Sequence, residues 1–281
     1  RRSIRADGFG GWEVRATAPL VWAVLTLTVP AAAQSEYSDG PSRHEGLHFS
    51  HPLITESVSP DTKLRLDYLW RRLGGAGAEH ESTVRLEGEY AFHPSFSIEI
   101  TVPYAFLRQN GSALESNLGT AEIAFKFANF AFADHGVHLG YGLEFGLPSG
   151  NDAKGIGSGH LLEVGPFLNA GYKRRRLEVV AWAVFGIPTN QRDTEPVDTE
   201  LQYNVSTLYH FTSRIQGLVE LDGASTLSGN AGSEAEAHVT PGIKIRPIRE
   251  SNLLLGLGVG FSVAPRTPSG VRVIASAFYH F

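Results

Sequence analysis

The most constraining feature of this sequence is an alternation of apolar and polar residues that continues, in blocks, to its last residue. From Pro94 to Phe106 every second side chain is apolar: Phe96, Ile98, Ile100, Val102, Tyr104 and Phe106. A period of two places these side chains on one face of a β-strand. A helix would scatter them around its circumference. The pattern therefore predicts an all-β fold.

Twelve such blocks can be counted, each about ten residues long, which is the length of a tilted membrane strand. They lie near residues 62–71, 82–92, 94–106, 118–127, 137–147, 161–172, 177–187, 200–211, 214–222, 236–246, 253–263 and 270–281. Short turns such as 93–95 alternate with longer loops rich in Gly, Ser, Asn and Asp, such as 148–160. This predicts a transmembrane antiparallel up-and-down β-barrel of about 12 strands in a bacterial outer membrane.

A soluble β-sandwich is the competing interpretation, because it also has short alternating strands. The apolar faces here carry aromatic residues at both ends, Phe92 and Phe127 near short turns and Trp70 and Tyr104 near long loops. Such rows are typical of membrane-interface girdles. The opposite faces carry more charges than a packed sandwich core could solvate. Both features favour the membrane barrel.

Composition excludes several other classes. With 24 Lys+Arg against 29 Asp+Glu, the net charge of -5 gives no electrostatic reason to expect a nucleic-acid partner. Cysteine is absent, which excludes disulfides and thiolate metal sites. No motif indicates a cofactor, and we expect none.

The chain divides into three parts. Residues 1–33 resemble an export signal, in which arginines precede the apolar stretch 18–30 and small residues follow at Ala31 and Ala33. Residues 34–60 are expected to form a periplasmic N-terminal arm or a plug in the lumen, and 61–281 the barrel.

The final block is expected to pair with the first, since backbone groups at membrane depth must be satisfied internally. The terminal Phe281 resembles the sorting signal of bacterial outer-membrane proteins, which implies the barrel-assembly machinery as a partner. Other expected partners are outer-membrane lipid, lipopolysaccharide and a small-molecule solute.

Charged residues on the inward faces predict an ion-pair ladder. A hairpin about Ala76 gives three pairs of opposite charge: Lys63 with Glu89, Arg65 with Glu87, and Asp67 with Arg85. The next two hairpins bring Glu89 beside Glu99, and Lys126 opposite Glu99. Alternatively, these charges simply face lumen water. The expected lumen-lining residues are Lys63, Arg65, Asp67, Arg85, Glu87, Glu89, Glu99, Glu122, Lys126 and Glu144.

Other inward positions are small: Gly140, Gly142, Gly146, Gly256, Gly258 and Gly260. We expect these glycines to widen the lumen, although packed side chains could equally fill the space. Prolines fall inside three proposed strands, at Pro103, Pro166 and Pro241. Their missing N–H groups require bulges or strand breaks.

Catalytic and metal sites are not expected. The arm carries His44, His48 and His51, whose spacing suits a metal only if the arm is helical. No serine, histidine and acid are brought to one rim by the strand register, although Glu200 and Asp222 near the rim could mimic an acid pair. The sequence thus predicts a protein that is not an enzyme, with an outer-membrane hydrolase as the remaining alternative.

Three segments, 51–68, 117–127 and 143–152, resemble the outer-membrane transporters associated with the MetA pathway of phenol degradation. The resemblance covers the whole mature chain and implies a barrel that moves small solutes, aromatic ones among them. Where members of that family show Gly-Asp, this chain has Gly119-Thr120. We therefore expect an outer-membrane channel or facilitator for small solutes, with aromatic or hydrophobic solutes among them. The alternative is a non-conducting barrel that acts as a receptor or structural anchor.

Overall fold

The computed structural model describes residues 47–72, 80–108, 113–191, 198–227, 235–264 and 270–281. The export signal predicted at 1–33, the first part of the predicted arm and His44 lie outside these residues. The strands are β1 Lys63–Arg72, β2 His80–His93, β3 Phe96–Arg108, β4 Glu115–Leu118, β5 Ala121–Asn129, β6 Val137–Leu147, β7 Glu163–Arg174, β8 Leu177–Pro188, β9 Glu200–His210, β10 Ile215–Thr226, β11 Ala235–Ile245, β12 Leu253–Ser262 and β13 Val271–His280. Two short 3₁₀ helices span Ala133–His135 and Asp152–Lys154. Neither has the length and apolar character of a membrane-spanning helix, and the described residues contain no other.

The strands form a closed antiparallel ring. Consecutive strands pair with each other, and β1 pairs with β13 along its whole length, from Lys63 with His280 to Arg72 with Val271. Strands β4 and β5 both pair with β3 and lie end to end as one interrupted strand. The ring therefore contains 12 strands, which confirms the predicted barrel.

The connections differ at the two ends of the barrel, as predicted. At the short-turn end, strands are joined by brief segments such as 94–95 and 175–176. In the second of these, Arg175 adopts a left-handed conformation with φ of 59°. At the long-loop end, the connections include 148–162 and 189–199.

The three prolines are accommodated by local gaps in the hydrogen-bonded ladders. The β7–β8 ladder has no pair at Pro166, and the β11–β12 ladder has none at Pro241, but both strands continue. Beside Pro103, the neighbouring strand breaks at residues 119–120, and the register shifts by one residue between β4 and β5. The strand break beside Pro103 and the ladder gaps at Pro166 and Pro241 thus accommodate the missing N–H groups of the three prolines.

Ser149 closes the interruption between β4 and β5. Its hydroxyl accepts a hydrogen bond from the Ala121 N–H at 2.8 Å and donates one to the Gly119 carbonyl at 2.7 Å. The Gly119 N–H donates to the Pro103 carbonyl at 2.9 Å. The backbone groups at this break are therefore satisfied within the wall, as a hydrocarbon environment requires.

The outer surface of the barrel is apolar. Outward side chains such as Leu66, Ile100 and Leu168 are 49%, 52% and 65% exposed, while alternate residues on the same strands point inward. Many large apolar side chains in such positions form a surface suited to lipid rather than water. An aromatic row lies towards the short-turn end, with ring centroids 5.9 Å apart for Phe92 and Phe96 and 4.9 Å apart for Phe96 and Phe127. These features are those of a barrel that spans an outer membrane.

Candidate functional site

The barrel interior holds a segment of the chain itself. Residues 47–62, called the inner arm below, run irregularly inside the barrel before β1 begins. Phe49, Leu53 and Val58 are all fully buried there. An irregular segment has no strand ladder to satisfy its backbone, so its polar groups need partners on the barrel wall.

Two carboxylates on the inner face of the wall accept hydrogen bonds from the backbone of the inner arm. Glu220 on β10 accepts backbone N–H groups from Leu53 at 3.0 Å, Ile54 at 3.1 Å and Thr55 at 3.0 Å. Glu178 on β8 accepts the Ser50 N–H at 2.7 Å. Hydrogen bonds to ionised acceptors are shorter and stronger than those between neutral groups. The carboxylates therefore fix the backbone of the inner arm.

Inward cations bind the carbonyl oxygens of the same segment. Lys244 donates to the His51 carbonyl at 2.5 Å, and Lys173 donates to the His48 carbonyl at 2.8 Å. Arg65 donates to the Leu53 carbonyl. Anionic and cationic wall residues together thus satisfy donors and acceptors of the inner arm.

Glycines on the wall make room for the arm. A Cβ on Gly242 would come 2.9 Å from the Leu53 side chain, one on Gly258 would come 3.0 Å from it, and one on Gly256 would overlap it. A Cβ on Gly171 would likewise come 2.7 Å from Phe49.

The expectation that the glycines widen an open lumen is therefore not met. The space beside those on β12 is filled largely by Leu53, whose buried neighbours are Leu208, Leu218, Leu254, Ile274 and Phe278. Asn169 lies against Gly140, and Phe167 lies against Gly142. The structure favours the alternative, in which side chains occupy the space.

The register between β1 and β2 is the predicted one. Lys63 pairs with Glu89, Arg65 with Glu87, and Asp67 with Arg85, and in the next ladder Glu89 pairs with Glu99. The Lys63 ammonium lies 2.6 Å from Glu87 and 3.0 Å from Glu89. The opposite charges on these two strands are therefore in direct contact.

The predicted pairing of Lys126 with Glu99 is wrong. Lys126 lies opposite Ser97, because the long β3–β4 connection gave no turn signal from which to fix the register. Side chains alternate between the two faces of a strand, so a register error of two residues leaves Lys126 on the predicted inward face. Its ammonium lies 3.2 Å from Glu89 and 3.5 Å from Glu99.

The ten predicted lumen-lining residues separate into two groups. One is almost completely buried and forms the ion-pair network: Lys63, Arg65, Asp67, Glu87, Glu89, Glu99 and Lys126. Glu56 of the inner arm lies over it, 3.7 Å from the Lys126 ammonium. Arg85, Glu122 and Glu144 line a cavity next to the network, and Glu99 of the network borders the same cavity. Direct contact with lumen water is therefore restricted mainly to this second group.

The cavity has a volume of about 450 Å³ and a strongly acidic lining. Arg85 is the only cation, and Trp182 the only aromatic residue, among the described residues that line it. The lining carboxylates are Glu56, Glu99, Glu122, Glu144, Glu163, Glu200, Asp222 and Glu236.

Sequence reasoning did not identify Glu163 or Glu236 as part of this lining. Both lie at the long-loop starts of their strands, β7 and β11, where the loop boundary hides the alternation. The sequence signal that could have identified them is the alternation along these strands, which places both side chains on the inward face.

Two groupings in the described residues resemble parts of a hydrolytic site. Asp222, one of the two rim acids considered for an acid pair, is bound by Arg272 at 2.7 Å. In the loop 148–162, Ser158 and Asp152 both face the same His160 nitrogen, Nδ1, at 3.1 and 3.2 Å. A catalytic histidine bridges the serine and the acid through its two different nitrogens. Hydrogen bonds from Ser158 and then His160 lower the pKa of Asp152 to about 2, which fits a structural role in the loop.

His48 and His51 lie in an irregular segment, so the helical spacing considered for the arm histidines is wrong. They converge instead with His280 on the Asp61 carboxylate. From Oδ2 of Asp61, His51 Nε2 lies at 3.3 Å, His48 Nε2 at 3.6 Å and His280 Nδ1 at 2.6 Å. This cluster joins the inner arm to the end of β13.

Known proteins resemble this chain in structure only. No protein-family model matches the sequence, and a search of curated proteins found no match. Among solved structures, a COG4313 outer membrane channel from Pseudomonas putida F1 gives a TM-score of 0.62 at 10% identity, covering 79% of this chain and 96% of that one. The NanC porin gives 0.56 at 9% identity, covering 78% and 100%, and the KdgM porin gives 0.51 at 13%, covering 77% and 99%. This chain therefore has the 12-stranded barrel fold seen in outer-membrane channels and porins.

Proposed function

We propose that this protein is an outer-membrane channel or facilitator for small solutes, and that the inner arm holds it closed. The observation that carries the proposal is a closed membrane barrel containing a polar cavity of about 450 Å³ next to a segment of its own chain that non-covalent contacts hold in place. The structural likeness to outer-membrane channels and porins supports it. Small polar solutes fit such a cavity because its lining is rich in charged and polar side chains.

The inner arm makes the present conformation a closed one. It occupies the interior near the ion-pair network, and side chains such as Phe49 and Leu53 fill the space there. Every contact that holds it is non-covalent, so the arm can leave without breaking the wall. Conduction in this proposal requires that movement.

The lining indicates which solutes are favoured. Rings of carboxylates attract cations and repel anions in a confined pore. We therefore expect small cationic or neutral polar solutes to pass more readily than anions. The aromatic solutes implied by the MetA-pathway resemblance remain part of the proposal, and Trp182 offers them a single aromatic contact within the cavity.

The decisive experiment compares three proteins in planar lipid bilayers: residues 34–281, the same chain without 34–60, and the same chain without 34–46. The last is the matched control, because it keeps the inner arm. We expect steady openings without 34–60, and rare openings in the other two. Silence of all three, with the barrels shown to be folded, would instead support a receptor or structural anchor.

We also propose the membrane partners expected from the sequence. Phe281 is 53% exposed, and its ring centroid lies 5.0 Å from that of Tyr279 on the outer surface. There it is accessible both to lipid or lipopolysaccharide and to the barrel-assembly machinery. Replacing Phe281 with alanine should lower the amount of folded barrel in outer membranes, whereas Leu177→Ala, at another exposed apolar position, should not.

A further inference from the structure

Three imidazoles surround one carboxylate where the inner arm meets the last strand. His48, His51 and Asp61 belong to the arm, and His280 ends β13. His51 and His280 are almost completely buried, and their ring centroids lie 5.4 Å apart. Residues 219 positions apart in sequence are thus brought into one small polar cluster.

More imidazole nitrogens surround one oxygen of Asp61 than hydrogen bonds to that oxygen can explain. A carboxylate oxygen has about two lone pairs, yet three imidazole nitrogens face Oδ2 of Asp61. The other oxygen, Oδ1, accepts the Thr62 N–H at 2.7 Å. Imidazole nitrogens converging with a carboxylate oxygen form a typical ligand set for Zn²⁺.

We propose that His51, Asp61 and His280 form a binding site for a divalent transition metal ion such as Zn²⁺, with His48 as a fourth ligand. The candidate ligand atoms of the first three all lie within 4.8 Å of one another. Zinc–nitrogen bonds of about 2.0–2.1 Å place tetrahedral ligands roughly 3.3 Å apart. Modest side-chain rotations therefore suffice to close the site around an ion.

The donor types in this cluster suit a transition metal ion. Imidazole nitrogens and a carboxylate oxygen are the ligands that Zn²⁺ commonly takes from proteins, and they bind it as neutral imidazole and ionised carboxylate.

The Lys63 side chain must move when a metal ion binds. Its ammonium lies 3.2 Å from Nδ1 of His51, and that nitrogen must carry the ring proton when Nε2 binds a metal. Lys63 also contacts Glu87 at 2.6 Å and Glu89 at 3.0 Å. It can therefore move away from His51 and remain paired.

Metal binding would fasten the inner arm to the wall, because three of the ligands lie on the arm and one on β13. It would thereby stabilise the arm inside the barrel. The site does not depend on whether the barrel conducts, so it can be tested without a transport assay.

The test uses residues 34–281 without an affinity tag, purified in detergent and freed of metal. ZnCl₂ is titrated by calorimetry, and CoCl₂ is followed by the visible absorption of tetrahedral Co²⁺. We expect one ion per chain, and no binding of MgCl₂, which prefers oxygen ligands. His280→Gln and Asp61→Asn should each weaken Zn²⁺ binding by more than about 100-fold.

The matched control is His238→Gln. His238 is also an inward histidine near a carboxylate, with Nδ1 3.9 Å from Asp222, but within the described part of the chain it belongs to no cluster of three metal-ligating groups. This variant should bind zinc like the parent chain. If His280→Gln does not fold, His51→Gln gives the answer, because the arm is not part of the wall. The proposal is overturned if the parent chain binds no Zn²⁺ at micromolar concentrations, or if the folded ligand variants bind it as tightly as the parent does.

Discussion

Leu53 of the inner arm packs against Gly256 of β12 so closely that a methyl group on the glycine would overlap the leucine side chain. The contact links a small residue in the wall to a large one in a segment that the wall encloses. Because Leu53 also belongs to the buried cluster around Phe278, it is an apolar anchor of the arm. Changes on the wall should therefore release the arm without altering the arm itself.

Gly256→Val should displace the inner arm. Overpacking of this kind costs about 1–3 kcal/mol, which corresponds to roughly 5- to 150-fold in the population of a released state. The chain has no cysteine, so Ser57→Cys provides a single reporter at a fully buried position of the arm. Maleimide labelling of that thiol in folded barrels should accelerate within this range.

Gly88→Val is the control for that variant. A Cβ on Gly88 meets nothing within 4 Å, and Gly88 lies on β2 of the same ring. Labelling at its parental rate is expected. If Gly256→Val also labels at the parental rate, Leu53 does not anchor the arm.

Glu220→Gln tests the polar attachment of the arm in the same reporter chain. The carboxylate accepts three consecutive backbone N–H groups, from Leu53 to Thr55, and it is fully buried. Hydrogen bonds to a charged group contribute about 1.5–3 kcal/mol, and the amide directs donors as well as an acceptor at these N–H groups. We expect labelling at position 57 to rise by about tenfold or more.

Glu163→Gln serves as the matched change, because Glu163 lines the cavity at the long-loop start of β7. It should leave the labelling rate unchanged. Equal rates in the Glu220 and Glu163 variants would argue that the carboxylate of Glu220 does not hold the arm.

The barrel could be predicted from sequence because lipid imposes one rule on every strand. Outward residues must be apolar, so alternation, strand number and the two kinds of connection all appear in the sequence. The β1–β2 register followed as well, because only one hairpin alignment pairs Lys63, Arg65 and Asp67 with opposite charges. The Lys126 register did not follow, because the long connection between β3 and β4 leaves the alignment of that hairpin open.

The interior could be predicted only in part. The inner arm has no periodicity, and its partners Glu220 and Lys244 lie far away in sequence, so nothing local indicates their contact. For the same reason His280 could not be joined to His51 and Asp61 from spacing alone. These contacts depend on closure of the ring, which brings the first and last strands together.

Lys63→Met should destabilise the folded barrel. The ammonium is buried between Glu87 and Glu89, and removal of one partner from a buried ion pair costs about 3–5 kcal/mol, because a buried charge is left uncompensated. The measurement is the free energy of unfolding from urea titration in lipid vesicles.

Arg71→Met, on the same strand, is the comparison. Arg71 pairs with Glu81 at 2.6 Å, but its side chain is 45% exposed. An exposed pair contributes about 0–1 kcal/mol, so this variant should unfold almost like the parent. Similar losses in both variants would show that burial does not determine the strength of the network.

The acidic cavity should give the open channel a preference for cations. In the chain without residues 34–60, the combined change of Glu122, Glu144 and Glu163 to glutamine removes three carboxylates from the lining while preserving side-chain volume. The field that attracts cations weakens with each neutralised group. The reversal potential in a KCl gradient should therefore move towards that of a non-selective pore.

Glu250→Gln changes an exposed carboxylate in the short turn 246–252 and should leave the reversal potential in place. If the triple variant keeps the parental reversal potential, ions do not pass these carboxylates, and the conducting path lies elsewhere in the barrel.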